Sequence, residues 1–280
     1  MNLSSRVTRN LRRHPAVVAG AIVLCVMVIA SALAPWLATH DPQEINPMLR
    51  LRGFSAAHWL GTDALGRDIW SRTIHGGRVS LVVGLIVALC ATTVGLAVGL
   101  VSGFNRIADA VLMRVMDGLM AIPAILLAIA LMAVARASIS TVIFAITIVE
   151  VPRVARLVRS VVLAIREQAY VEAATVAGSR FWRMLWKHVL PNTLAPLTVQ
   201  ATYICAAAIL IESLLSFLGA GTPPEVPSWG NIMAEGRTYF QVSPSLILTP
   251  GLFLALTVLA VNLMGDGLRD MLDPVIARRM

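Results

Sequence analysis

The chain has 280 residues, of which 58% are hydrophobic and only 14% charged, and its mean hydropathy is +0.79. Soluble domains are about half apolar and about a quarter charged, so the composition argues against a water-soluble enzyme and against a disordered chain. Long apolar runs argue equally against a β-barrel, whose strands alternate over short segments. The formal charge of +8 is carried almost wholly by arginine, since Lys187 is the only lysine. The arginines fall between the apolar runs, which is the placement of loops in a membrane protein and not of a nucleic-acid-binding face.

Taken in chain order, the apolar stretches predict an all-α, polytopic membrane protein of about six spans, each needing roughly 20 apolar residues. Arg6, Arg9, Arg12 and Arg13 precede the first, Ala16 to Ala38, which is too long for a signal-peptide core and is read as a retained helix. The second lies between Arg78 and Arg106, where no charge occurs. It carries Gly95, Gly99 and Gly103, four residues apart, a small-residue face for close helix packing. The third, Val111 to Val134, holds Asp117, and Pro123 is expected to kink it. The fourth begins near Ser138 and continues through Glu150 into a basic extension. There Arg153, Arg156 and Arg159 form a ladder on one helix side, and the expected partners are lipid phosphates or acidic groups of another subunit. The fifth, Leu194 to Leu218, contains Glu212, and the sixth lies between Arg237 and Asp266.

Arginine placement sets an expected orientation. With the N-terminus inside, one side collects Arg106, Arg153, Arg156, Arg159, Arg166, Arg180, Arg183, Lys187, Arg269, Arg278 and Arg279 besides the N-terminal group. The other side holds Arg50, Arg52, Arg67, Arg72 and Arg78, diluted by Asp41, Glu44, Asp63 and Asp68. Both termini are therefore expected in the cytoplasm. Two connections are long, His40 to Gly77 outside and Arg153 to Pro191 inside, and long loops of mixed composition tend to carry function. In the outer one, Asp63, Arg67, Asp68 and Arg72 are expected to form exposed pairs worth about 0–1 kcal/mol each.

Several chemistries find no support. Cys25, Cys90 and Cys205 each sit alone in an apolar run. His14, His40, His58, His75 and His188 are scattered without metal-ligand spacing, so no metal site is expected. No Gly-Lys-Ser/Thr phosphate loop is present, so ATP is not hydrolysed by that route, and no catalytic residue is assigned. Glu212, an ionisable group at membrane depth, is a candidate for the translocation path; the alternative is a hydrogen-bonded glutamate that joins helices.

The inner connection has the clearest local signature. Ala169, Glu172, Ala173 and Val176 repeat with helical spacing up to Gly178, which suits the left-handed residue that ends a helix. Ser179 is placed to cap a second helix, whose Phe181, Trp182, Leu185 and Trp186 make an apolar surface, and Pro191 is expected to stop or kink the chain. The result is a short helix, a turn and a short amphipathic helix. It serves either as an interfacial anchor held by the tryptophans or as a docking surface for a partner.

Glu172-Ala173-Ala174, Gly178 and Leu190-Pro191 together resemble the EAA signature of permease subunits of binding-protein-dependent ABC importers. His188, where that signature has a hydrophobic residue, is similar to the variant of the peptide and nickel branch. Three further blocks resemble the same branch in the same order: Leu60 to Arg72; Glu212 to Gly219 with Pro227 to Gly230; and Asn262 to Pro274. The chain looks like the second, "C"-type permease of dipeptide, oligopeptide or nickel importers, and the likeness covers nearly all of it. The resemblance implies a type-1 importer permease fold. Residues 1–75 would be an N-terminal region with the first helix and a periplasmic segment, 76–268 the permease domain including the coupling loop 163–192, and 269–280 a cytoplasmic tail. It further implies a bacterial inner-membrane location and no cofactor on this chain. The implied partners are membrane lipid, a second homologous permease, two ATP-binding subunits holding ATP and Mg, and a periplasmic solute-binding protein, which the outer segment with Asp63, Arg67, Asp68 and Arg72 would meet as a platform. Peptides would be the cargo, with nickel, glutathione or a related solute as the alternative. A free-standing secondary transporter would lack any need for the docking loop.

Overall fold

The computed structural model describes residues 15–134 and 137–272, except the side chains of Thr175 and Phe181. Arg6, Arg9, Arg12, Arg13, His14, Arg278, Arg279 and the end of the C-terminal block at Asp273-Pro274 lie outside the described residues.

Every regular element among the described residues is helical. Helix α1 spans Pro15–Ala32 and the short α2 Ala34–Leu37. An irregular segment with a single turn at Pro47–Leu49 leads to α3, Ile69–Phe104. Then follow α4 (Arg106–Met120), α5 (Ala124–Val134), α6 (Ile139–Arg166), α7 (Ala169–Val176), α8 (Phe181–Met184), α9 (Leu190–Phe217), α10 (Trp229–Gly236) and α11 (Ser245–Leu272). Side-chain caps fix several starts. Asp68 accepts from the Ser71 N–H at α3, Asn105 from Ile107 and Ala108 at α4, Ser138 from Thr141 at α6, and Ser228 from Asn231 at α10. Each satisfies backbone donors that the helix itself leaves open.

The expected spans each appear as a helix or helix pair, with changed limits. At 1.5 Å per residue α3 is about 54 Å long, well beyond the roughly 30 Å of hydrocarbon. It starts nine residues before Arg78, because Asp68 caps it there and Ile69 to Ile74 are mostly buried. Helices α1, α3, α9 and α11 are long and apolar enough to cross a membrane. The third expected span is not one kinked helix: α4 and α5 meet at 93°, broken across Ala121 to Pro123, so the pair makes at most one bent crossing. Proline removes an N–H and crowds the preceding turn, and here the chain leaves the helix altogether. Helix α6 is long enough but carries Glu150, Arg153, Arg156 and Arg159 in its interior.

The arginine ladder on α6 does not wait for lipid or another subunit. Arg153 pairs with Glu150 at 2.9 Å, Arg156 reaches Asp117 of α4, and Arg159 grips Asp109 of α4. Acidic residues of the same chain therefore take all three cations, and the Arg156 and Arg159 pairs tie α6 to α4. The Gly95, Gly99, Gly103 face of α3 meets Val154, Ala155, Val158 and Val162 of α6, and this is the most extensive helix contact in the fold. Against it, α9 and α11 pack on the other sides of α3 and α1, around a core of Val83, Val87, Ile146, Val158, Ile204 and Leu215.

The mixed-sign segment before α3 is also not an exposed surface. Asp63 is 1% and Arg72 2% exposed. Both Arg67 and Arg72 bind Asp63, and both reach across to Glu235 of α10, at 2.6 and 3.0 Å. The pairs are desolvated, so removing one partner costs far more than in a surface pair.

Candidate functional site

The loop between α6 and α9 is tethered at its start. The Arg166 guanidinium donates to the Gly103 carbonyl at 2.6 Å and lies over the Phe104 ring, 5.6 Å from its centre, so the ends of α6 and α3 are held together. The Gln168 carbonyl then accepts from both Val171 and Glu172, starting α7. Val171, 3% exposed, anchors this helix in the core.

The turn forms at Gly178 as the pattern of residues predicts. Gly178 has φ +77, and the Ser179 N–H reaches back to the Ala174 carbonyl at 3.0 Å, the six-residue bond of a glycine-ended helix. No atom lies within 4 Å of where a Gly178 Cβ would stand, so the backbone conformation, and not lack of room, selects glycine.

Beyond the turn the chain does not stop or kink at Pro191. Leu185–Val189 form a widened π turn, in which the Leu190 N–H bonds to Leu185, and this turn runs directly into α9. From Trp182 to Phe217 the helix is continuous. Proline at the start of a helix needs no hydrogen-bond partner, and the wider turn gives its ring space. A clasp closes the loop on itself: Asn192 donates to the His188 carbonyl at 2.6 Å, its amide lies 3.4 Å from the Tyr170 hydroxyl, and the Tyr170 and His188 rings lie 5.8 Å apart.

The outward face is mixed. Glu172, Ala173, Gly178 and Pro191 are exposed, whereas Ala174 and Leu190 are half-buried. Val176 is 85%, Trp182 66% and Trp186 64% exposed, while Leu185 and Val189 turn into the core. Beside α7 lies a cleft of about 650 Å³ lined by Phe104, Arg166, Glu167, Glu172 and Met184 among others. The loop is thus tethered at its start and clasped on itself, with apolar side chains outside. Reading the sequence misses the Arg166 tether and the Tyr170–Asn192 clasp; the one available signal is an arginine at the last turn of a helix, beside its free carbonyls.

Glu212 is fully buried. Its carboxylate accepts from Ser80 of α3 and Ser216 of α9, both at 2.9 Å, with the Ser213 hydroxyl 3.4 Å away. Ser216 continues to Thr222, and Thr222 to Asn231 of α10. In this arrangement Glu212 joins three helices through hydroxyls, and contact with a solute would require them to part.

Known proteins agree in sequence along almost the whole chain. Residues 91–278 match the family described as binding-protein-dependent transport system inner membrane component, and residues 2–53 match the N-terminal TM domain of oligopeptide transport permease C. A probable peptide ABC transporter permease of Sinorhizobium fredii is 51% identical over 98% of this chain and 94% of its own length. A di/tripeptide transport system permease of Pseudomonas aeruginosa is 42% identical over 91% and 86%. A glutathione transport system permease of Pectobacterium atrosepticum is 41% identical over 95% and 89%. In three dimensions, the chain superimposes on an inward-facing structure of the MetNI methionine ABC transporter with a TM-score of 0.61, at 20% identity, covering 73% of this chain and 98% of that one. The chain belongs to the inner-membrane component family of binding-protein-dependent transport systems and is a membrane-spanning permease of the type-1 ABC importer fold.

Proposed function

We propose that the chain forms one half of the translocation path of an ATP-driven importer of short peptides, in the inner membrane of a bacterium. Its termini lie in the cytoplasm, and the end of α3 at Asp68 faces the periplasm. A second homologous permease completes the path, two ATP-binding subunits bearing ATP and Mg dock on the cytoplasmic loops, and a periplasmic protein delivers the solute. Residues 76–268 act as the permease domain, 1–75 and 269–280 as its flanking regions.

The observation that carries this reading is the tethered loop with its glycine turn and its exposed Val176, Trp182 and Trp186. Glu172, Ala173, Ala174, Gly178, Leu190 and Pro191 set its shape. When ATP closes the ATPase pair, force on α7 reaches α3 and α6 through Arg166 and reaches α9 through the continuous helix at Pro191. The helices then rock between inward- and outward-open states, with no covalent intermediate. Glu212 holds α3, α9 and α10 as one unit during that motion. Peptides are favoured as cargo by the names of the relatives of highest identity described above; glutathione or nickel is the second reading, supported by the glutathione permease relative.

The test is uptake of a labelled dipeptide, glutathione and Ni²⁺ by cells with the chain's gene deleted, then restored as wild type or as Gly178→Val. A branched residue at this left-handed position costs roughly 1–2 kcal/mol locally. Dipeptide uptake should fall on deletion, return with wild type and stay low with Gly178→Val. Unchanged dipeptide uptake with loss of glutathione or Ni²⁺ uptake refutes the peptide reading, and full uptake without any ATP-binding subunit refutes the importer reading.

A further inference from the structure

Two charged residues of α6 stand at a depth where lipid surrounds most helices. Val154 packs on Gly95 of α3, so Arg153 shares that level. Gly95 lies nine residues before the end of α3 at Phe104, about 13 Å along the helix and close to the middle of a hydrocarbon layer of about 30 Å. Glu150 is one turn further from that end. Its side chain is 1% exposed, whereas that of Arg153 is 54% exposed.

A long arginine stem commonly carries its charge back to an interface. Here the guanidinium is turned the other way. Its Nη1 donates to both Glu150 oxygens, at 2.9 and 3.3 Å, and Glu150 lies on the side away from Phe104. Nη1 is thereby engaged, while among the described residues no protein group bonds to Nε or Nη2. A half-open cation held at this depth faces water or another subunit and not lipid tails.

The backbone beside it is open as well. Helices α4 and α5 break at Ala121 to Pro123, all three exposed, and Leu119, Ile122, Leu127, Val149 and Arg153 are among the residues lining one cavity of about 190 Å³ at the break. In an unbroken helix the Leu119 carbonyl accepts from residue 123, but Pro123 has no N–H to give. Irregular backbone at membrane depth is tolerated where protein buries it or where it lines a water-filled cavity. The broken helix and the inward-turned arginine are separate features, and both exclude lipid from the same face.

We propose that the α4–α5 break and the Arg153 face of α6 line the translocation path, and that Arg153 receives the C-terminal carboxylate of the passing peptide. Nε and Nη2 form a planar fork that matches a carboxylate, and Glu150 holds that fork in place. Leu119, Leu127 and Val149 give an apolar wall for a peptide side chain. The assignment deepens the peptide-importer reading and rests on it.

The test uses the assembled importer in liposomes, with its solute-binding protein and with ATP on the side of the ATP-binding subunits. Initial uptake of labelled alanyl-alanine is measured. In a parallel run a dipeptide with a diazirine side chain and a free carboxylate is irradiated during transport, and mass spectrometry locates the adduct. Wild type should import the dipeptide and carry the adduct within residues 119–127 or 149–153. Arg153→Gln should lower uptake by about tenfold or more, the loss expected for one hydrogen bond to a charged group, and should lose the adduct. Arg153→Lys keeps a cation and should restore part of both. Where Arg153→Gln fails to assemble because Glu150 has lost its partner, Glu150→Gln/Arg153→Gln, which leaves no lone charge, decides in its place. Dipeptide uptake by wild type without an adduct on those segments, or undiminished uptake by the variant, overturns the assignment and leaves the importer reading standing. No dipeptide uptake by wild type refutes the peptide reading, and this assignment with it.

Discussion

Replacing Gly99 by alanine adds one carbon where α3 and α6 touch. That Cβ would stand 2.6 Å from Val158 Cβ and 2.7 Å from the Ala155 carbonyl oxygen, where ordinary contact begins at 3.4 Å. The oxygen belongs to the α6 backbone and cannot rotate away, so the two helices must part by most of an ångström along their largest interface. Overpacking of this kind costs about 1–3 kcal/mol, against about 1 kcal/mol gained from alanine's better helix propensity. Gly118, on the exposed side of α4, has no atom within 4 Å of its Cβ position and supplies the control, since Gly118→Ala collects only the propensity gain. Leucine at position 99 adds three further carbons with nowhere to go. Heating the purified complex and counting what remains monodisperse by gel filtration should rank Gly118→Ala at or above wild type, then Gly99→Ala, then Gly99→Leu. If Gly99→Leu survives heating as well as wild type, close packing of α3 on α6 is not what the glycine stripe provides.

Arg72→Met leaves the buried Asp63 and part-buried Glu235 with Arg67 as their remaining partner, so it should destabilise by about 1–3 kcal/mol in thermal inactivation, whereas Arg156→Met, in a pair whose side chains are 46% and 53% exposed, should cost about 0–1 kcal/mol. Glu212→Gln keeps an acceptor for the serine hydroxyls, which can themselves rotate to accept, so stability should fall by about 1 kcal/mol with uptake retained. Glu212→Leu strands Ser80, Ser213 and Ser216 and should cost at least about 2 kcal/mol in the same assay. Burial raises the Asp68 carboxyl while bonds from Ser71, His58 and Thr39 lower it further, so its folded pKa lies below the unfolded value. Its contribution is therefore complete above the unfolded pKa, about 4, and is lost as pH falls through the folded value. Midpoint temperatures measured from about pH 6 to about pH 3 should decline less steeply for Asp68→Asn than for wild type.

What could be read from residue order was what depends on near neighbours. Gly178 announces its turn because only a few residues on each side are involved, and the Gly95, Gly99, Gly103 face is set by helical periodicity alone. The buried network of Asp63, Arg67 and Arg72 looks like a surface in residue order because its fourth member, Glu235, stands more than 160 residues away. The arginine ladder failed similarly: Asp109 and Asp117 belong to another helix, and spacing on α6 says nothing of them. Proline gives the right direction at Pro123 and the wrong one at Pro191. At Pro123 it coincides with a break of 93°, while at Pro191 a π turn absorbs it and the helix continues.

The central claim is that the face of α7 meets an ATP-binding subunit, and disulfide crosslinking tests it most directly. With Cys25, Cys90 and Cys205 replaced by serine, cysteine is introduced at Ala173, on the exposed side of α7, or at Met48, 83% exposed at the opposite end of α3. Each is paired with single cysteines spread over the surface of the co-expressed ATP-binding subunit, and mild oxidant is added. A covalent adduct of permease plus ATP-binding subunit should form from Ala173→Cys and not from Met48→Cys. No adduct from Ala173→Cys with any of those positions, or one of equal yield from Met48→Cys, would contradict the assignment of this loop as the site where ATP hydrolysis reaches the membrane.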